Sequence, residues 1–262
     1  MRNQRKILIA IGLLVSCSVG GYGLYQSQQN RRALPDGAQV LDARTITFRD
    51  QFFDVLTVDP GAQELRLYWK DEAGRPYRDF ATLQDALAKE GKQLRFATNA
   101  GIFSEDHTPG GLHIENGQEL KKLNLRDGAG NFHLKPNGVF ILGAEGAGVM
   151  ETEQFAQGDR HPTIATQSGP LLVHDGRLHP AFRAGSSNLH IRNGVGVDRR
   201  GRIHFALSNT RVNFFDFASL FRERLDCPDA LYLDGTISEF YLPELDRFGS
   251  GGDFCGILAV VE

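Results

Sequence analysis

From residue 44 onward the chain is written in short apolar runs of five to eight residues, each closed by a turn signal. Phe53–Val58, Leu65–Trp69, Leu94–Thr98, Gly138–Leu142 and Arg202–Leu207 alternate or run continuously apolar. That is the pattern of half-buried or fully buried strands. Asn116-Gly117, Asp127-Gly128, Asp175-Gly176 and Arg200-Gly201 supply the turn chemistry between them, because these pairs tolerate left-handed backbone. Helical patterns are few. Thr82–Lys89 reads as a helix capped by Thr82 and stopped at Gly91. Asn213–Leu225 sets Phe214, Phe217, Leu220, Phe221 and Leu225 on one face, the stripe of an amphipathic helix. Without strict strand–helix alternation, this predicts an α+β fold: a single domain around a large mixed, strand-rich β-sheet with a few helices.

The N-terminus carries a different signal. Arg2, Arg5 and Lys6 precede an uncharged stretch from Ile7 to Tyr25, a basic region followed by an apolar one, as in export signals. Leu14-Val15-Ser16-Cys17 also fits a bacterial lipobox, with Cys17 as the lipidated residue. Alternatively the stretch remains as a signal anchor, just long enough to span a bilayer. Both readings predict export to the cell envelope or periplasm, with the protein tethered to the membrane by its N-terminal segment. Residues 1–32 are therefore read as signal or anchor plus linker, and 33–262 as the globular domain. Beyond Cys17 only Cys227 and Cys255 remain. They would either pair, closing a loop of about 29 residues worth roughly 3 kcal/mol, or stay as two buried thiols.

Composition removes several function classes. A net charge of −3 gives no broad basic face for phosphate backbones, so no nucleic-acid partner is expected. There is no P-loop, dinucleotide fingerprint, nucleophile elbow or His-Glu-x-x-His. The eight histidines are scattered. No cofactor and no metal ligand set is predicted, with a bridging divalent cation left possible.

Four segments place small residues and one polar group just after a predicted strand: Thr98–Phe103, Gln167–Val173 (followed by Asp175-Gly176), Ile191–Asp198 and Ala230–Glu239. Small residues allow a ligand close to the backbone, and strand ends converge on clefts. In this order the four resemble the phosphodiester glycosidase family, whose members include the enzyme that uncovers a GlcNAc-phospho-mannose diester. Its pattern is an Asn-Gly-Gly-Phe-Phe-like segment, Gly-Pro-x-Leu-Val-x-x-Gly, Arg-x-x-x-Gly and Leu-Asp-Gly-Gly-Gly-Ser-Ser. These appear here as Asn99–Phe103, Gly169–Gly176, Arg192–Gly196 and Leu233–Ser238. Thr236 and Ile237 stand where that family often has glycine, which should narrow the pocket.

The resemblance implies an exported hydrolase that cleaves a sugar C1–O–phosphate bond in a carbohydrate phosphodiester. Sugar hydrolysis ordinarily employs two carboxyl groups around an oxocarbenium-like transition state. A phosphate leaves as a stable anion, so a fixed cation can take the place of a strong acid. Asp234 is assigned the carboxylate at the anomeric face, as base or nucleophile. Arg192 is assigned the phosphate grip, with Arg183 and then Arg211 in reserve. Glu239 is the second carboxylate, although five residues of extended chain would point it away from Asp234 unless the glycine turn between them re-aims one. Asn99, Gln167, Ser168 and Ser238 would orient sugar hydroxyls, and Gly101, Gly169, Gly235 and Thr236 would line the approach. The alternative is a non-catalytic glycan-binding module of the envelope that uses the same cleft.

Overall fold

The computed structural model describes residues 40–234 and 237–262. The N-terminal assignments to residues 1–32, and Gly235 and Thr236, lie outside the described residues. No helix among the described residues is long and apolar enough to cross a membrane.

Among the described residues, seventeen strands form three sheets. The largest comprises, in spatial order, β1 (Asp42–Phe48), β2 (Gln51–Val58), β13 (Ile203–Ser208), β12 (Asn193–Val197), β14 (Asp229–Asp234), β10 (Leu171–His174) and β11 (Arg177–Leu178). The second runs β16 (Arg247–Phe248), β15 (Phe240–Leu242), β4 (Leu94–Asn99), β17 (Ile257–Val261), β3 (Glu64–Tyr68). The third runs β6 (Gln118–Lys121), β5 (His113–Glu115), β9 (Ile164–Ser168), β7 (Gly138–Gly143), β8 (Gly146–Glu151).

The α+β, strand-rich domain with few helices is as the sequence predicted. The single mixed sheet is corrected: every described strand pair is antiparallel. For hairpin neighbours such as β1–β2 and β7–β8 this is required, since parallel neighbours need a crossover of about a dozen residues or more; pairs between distant segments, such as β2–β13, are antiparallel as well. Helix α1 (Phe80–Lys89) carries the chain from β3 to β4, which run parallel, but β17 inserts between them and pairs antiparallel with both.

Local chemistry explains the elements. Asn116 and Gly117 both take positive φ (49° and 77°) in the β5–β6 hairpin, as do Asp175 and Gly176 (49° and 73°) between β10 and β11, the geometry of two-residue hairpin turns. Asp127-Gly128 joins no strands; it precedes a short 3-10 turn at Asn131–His133. The cap of α1 is Asp79, whose carboxylate accepts from Thr82 N at 2.6 Å, and not Thr82, so the helix starts two residues earlier than its apolar pattern suggested. The second predicted helix divides. Helix α3 (Phe214–Ser219), capped by Asn213, passes into a π-helical turn at Leu220–Arg224. Helix α2 (Thr152–Gln157) is capped by the Glu151 side chain.

Strand alternation gives each sheet two apolar faces. The inner faces meet in one core: Leu56, Val195, Phe205 and Leu231 from the first sheet, Phe96, Phe240 and Leu258 from the second, Phe140 and Val149 from the third. Phe205 lies 5.0 Å from the Phe96 ring and 6.3 Å from that of Phe140, so one aromatic cluster ties the three sheets, each pair adding about 1 kcal/mol beyond area burial. The outer faces have separate covers. Helix α3 and its π turn cover the first sheet, α1 the second, and Leu123 and Phe155 the third. A Cβ at Gly194 would lie 2.9 Å from Leu231 O and 3.2 Å from the Phe217 ring, so glycine there lets α3 sit close to the sheet. Cys227 and Cys255 are buried free thiols. Cys227 packs under α3, and Cys255 donates to His107 O. Burial pushes the Cys255 thiol up to about 12.

Candidate functional site

Four strand ends come together where the first and second sheets meet. β4 stops at Asn99, β12 starts at Asn193, β14 stops at Asp234 and β15 starts at Phe240. In register, Asn193 stands opposite Asp234 and Phe240 opposite Thr98. A single fully buried amide joins these ends. Asn193 Nδ2 donates toward Thr98 Oγ1 (2.8 Å), Asn99 Oδ1 (2.8 Å) and Asn99 O (3.1 Å). Asn193 Oδ1 accepts from Asp234 N at 3.0 Å and faces Ser238 Oγ at 3.2 Å. The Ser238 hydroxyl also reaches Asp234 O. Asn99 Oδ1 accepts a further bond from Glu239 N at 3.1 Å. The backbone donors of Asp234 and Glu239 thus fix which way both amides are turned. Asn99 Nδ2 is left buried without a partner among the described residues, a donor still to be used.

Beside this network opens a cleft of about 410 Å³ lined by Ser208, Asn209, Ser238, Glu239, Arg247 and Phe248, with Ile191 and Leu207 on its apolar side. That volume is in the range of small-molecule sites. Glu239 Oε2 accepts from Ser250 N at 2.8 Å, so its carboxylate is held at the wall. Asn209 Oδ1 is another buried atom without a partner. Two other hollows are poorer candidates. The one at the β7–β8 hairpin contains Arg160 paired with Glu145 and His161 with Asp159. The one beside α1 contains Arg75 paired with Asp71 and Arg78 with Asp253.

The sequence-predicted residues divide sharply. Asn99, Asp234, Ser238 and Glu239 share the network. Strand alternation does not set Asp234 and Glu239 apart, because they do not belong to one extended segment: β14 ends at Asp234, and Glu239 lies in the loop before β15. Asp234 is 6% exposed.

Arg192 is a correction. It is fully buried on the opposite face of β12, under α3. Its Nε donates to Val212 O (2.9 Å), Nη1 to Tyr232 Oη (3.1 Å), and Nη2 to Asn188 O (3.0 Å) and Asn188 Oδ1 (2.8 Å). The guanidinium stacks 3.6 Å from the Phe214 ring centroid. Burial lowers its pKa. The physical reason is the strand period: of two consecutive residues only one can face the site, and that one is Asn193. Arg192 therefore pins α3 and the 188–190 segment to the sheet. Changing Arg192 to Met should remove about 3 kcal/mol of stability, because buried Tyr232 Oη loses its partner, Val212 O keeps only the bond from His190 N, and the ties to Asn188 are lost, a melting-temperature drop of about 6–12 °C. The apparent KM of the folded fraction should stay within about twofold, as steady-state assays below the transition would show.

Arg183 is also corrected. It is exposed, its Nη1 donates to Pro180 O and Phe182 O, and it does not line the cleft. Gln167 clamps loops, accepting from Leu112 N and Asn124 N and donating to Asn124 O. The Ser168 hydroxyl donates to Leu233 O at 2.8 Å. Both are buried structural residues. Gly101 and Gly169 mark close backbone passages. A Cβ at Gly169 would meet Asn137 Cβ at 2.8 Å, and Gly101 lies against Thr166 and the Gln167 carbonyl. Ile237 does not narrow the cleft; it packs against the apolar cluster under α1. Asn193 was missed as a site residue, and Arg247 and Asn209 as cleft residues. For Asn193 the signal was available, since it follows Arg192 directly in extended chain and so points to the other face.

One grouping among the described residues has metal-ligating character: His174, Asp175 and Asp229. His174 Nδ1 is 3.2 Å from Asp229 Oδ1. Asp229 is the first residue of β14 and Asp234 the last, so this group sits at the other end of that strand from the site.

Comparison with known proteins agrees with this architecture. The family model for phosphodiester glycosidase matches residues 92–245. The uncharacterized protein YigE of Escherichia coli (strain K12) is 37% identical over 186 residues, covering 71% of this chain and 72% of YigE. The fold is similar to the catalytic domain of zebrafish N-acetylglucosamine-1-phosphodiester alpha-N-acetylglucosaminidase, auto-inhibited by its pro-peptide. There the TM-score is 0.57 and the identity 15%, with 86% of this chain and 84% of that one covered. It is also similar to a hypothetical protein from Synechocystis, with TM-score 0.52 and 14% identity over 86% of this chain and 64% of that one.

Proposed function

This chain belongs to the phosphodiester glycosidase family, and we propose that it is an exported hydrolase that cleaves the C1–O–phosphate bond of a sugar phosphodiester in an envelope glycan or a related metabolite. The observation that carries the reading is the meeting of Asn99, the Asp234 backbone, Ser238 and Glu239 around the Asn193 amide, beside a ligand-sized cleft that Ser238 and Glu239 line.

In this reading Asp234 supplies the carboxylate at the anomeric carbon, acting as base toward water or as nucleophile. Glu239, fixed by Ser250 N, is the second carboxylate. As the C1–O bond breaks, the electron pair leaves with the phosphate oxygen and positive charge grows on the sugar ring. A nearby carboxylate stabilises that charge. Asn99 Nδ2 and Asn209 Oδ1 offer one donor and one acceptor for sugar hydroxyls. Export and tethering rest on Arg2, Arg5, Lys6 and the uncharged Ile7–Tyr25 stretch, with either a retained anchor or lipidated Cys17 holding the domain at the membrane.

The test is release of free reducing sugar from a methyl diester of N-acetylglucosamine 1-phosphate, and from a panel differing in the sugar. Turnover well above the buffer rate is expected for at least one diester. No turnover across the panel, together with retention of envelope polysaccharide on immobilised protein, would replace the hydrolase by a glycan-binding module in the same cleft.

A further inference from the structure

With Arg192 committed to the core, the cleft needs a different cation to recognise a phosphate, and the geometry points to Arg247: we infer that its guanidinium, anchored along one edge by Asp54, is the group that binds the phosphate of the substrate. The inference rests on the cleft being the diester site.

Arg247 begins β16 and lines the cleft. Its Nε donates to Asp54 Oδ2 at 2.6 Å. Asp54 is 1% exposed and is itself fixed, accepting from Thr45 Oγ1 at 2.6 Å and Asn209 Nδ2 at 3.2 Å on its other oxygen. The buried carboxylate thus takes one donor of Arg247 and sets the plane of the guanidinium. The two terminal amino groups make no hydrogen bond among the described residues, and the side chain keeps 37% exposure. An arginine held by one edge presents the rest of its fork ready-oriented, so little further rotamer entropy is lost when a phosphate binds.

The surroundings favour an anion that comes from outside. Glu239 lines the same cleft but forms no ion pair with Arg247; its carboxylate is held by Ser250 N instead. Asp246, the neighbouring residue, makes no ion pair with it either among the described residues. A carboxylate and a guanidinium facing one cleft without touching leave space between them for a group that suits both: a phosphate at Arg247 and a sugar ring toward Glu239 and Ser238. Phe248, 52% exposed, gives that ring an apolar wall. Arg247 falls beyond the segment matched by the family model, which ends at residue 245, so the phosphate contact comes from an element outside that match.

Calorimetric titration of the full chain with N-acetylglucosamine 1-phosphate, inorganic phosphate and uncharged N-acetylglucosamine tests this. Wild type should bind the phosphorylated sugar about 10- to 100-fold more tightly than the uncharged sugar, as for a charge-assisted bidentate contact. R247Q should reduce that preference to within about threefold. R247K retains a positive charge beside Asp54 and should keep part of the preference, which covers the case in which R247Q folds poorly. Unchanged preference in either variant, or none in wild type, overturns the assignment. Because the readout is binding, the outcomes separate. Wild type that binds the phosphorylated sugar through Arg247 but hydrolyses no diester keeps the phosphate site and removes the hydrolase. Diester turnover with an unchanged KM in R247Q keeps the hydrolase and removes Arg247.

Discussion

Replacing Asp234 by Asn is expected to lower kcat on a sugar 1-phosphodiester by about 10³-fold, within the 10²–10⁴ range for removing a general base, while KM stays within about threefold. The split follows from when the carboxylate is needed. Its charge matters most as the C1–O bond lengthens and the ring becomes cationic, so its loss falls on the transition state more than on the bound ground state. Asparagine keeps the volume and both backbone bonds, from Asp234 N to Asn193 Oδ1 and from the Ser238 hydroxyl to Asp234 O. The melting temperature is expected to fall by no more than about 4 °C, the equivalent of about 1 kcal/mol for a domain of this size. Single-turnover and steady-state assays on purified variant and wild type decide it. A variant with more than about a tenth of wild-type kcat would take the catalytic role away from Asp234, and Glu239 would be next to test by Glu239→Gln.

The fold was legible where short-range physics is strong. The apolar runs became strands, and Asn116-Gly117 and Asp175-Gly176 became hairpins, because period-two burial and positive φ are local demands. The division into three sheets was not legible. It depends on β17, the last strand, returning between β3 and β4, and on Phe96, Phe140 and Phe205 converging from distant sequence. No local pattern encodes such contacts. The site was legible in part for a similar reason. Asn99, Asp234 and Ser238 lie in ordered motifs, and motif order survives folding. Arg192 and Asn193 are neighbours and point to opposite faces, so the motif that holds both does not by itself say which one meets the site. Gln167 and Ser168 looked like ligand donors because a polar side chain among small residues reads alike whether it meets a sugar or its own backbone. Arg247 carried no motif; its importance comes from Asp54, almost two hundred positions away.

The Asn193 amide is the second place where one substitution should have a large effect, and two variants separate its roles. Asn193→Ala removes the donor shared by Thr98 and Asn99 and the acceptor used by Asp234 N and Ser238. In a buried network this leaves several groups unsatisfied, a cost of about 3 kcal/mol and a melting-temperature drop of about 6–12 °C. Below that transition, kcat should still fall about 100-fold, because the end of β14 that bears Asp234 and the loop that bears Glu239 lose their common support and a shift near 1 Å is enough for such a loss. Asn193→Asp is nearly isosteric but replaces the Nδ2 donor by a carboxylate oxygen facing the three oxygens that Nδ2 had bonded. Its carboxyl is disfavoured as an anion there, so its folded pKa lies above the unfolded value of about 3.9. The sign follows: the deficit relative to wild type is smallest below that unfolded value, where the group is protonated in both states. It grows as pH rises through the folded pKa. Denaturant melts of the two proteins from about pH 4 to pH 8 should therefore diverge with increasing pH. Parallel curves, or an Asn193→Ala enzyme with wild-type kcat below its transition, would show that the two sheets hold the site together without this amide.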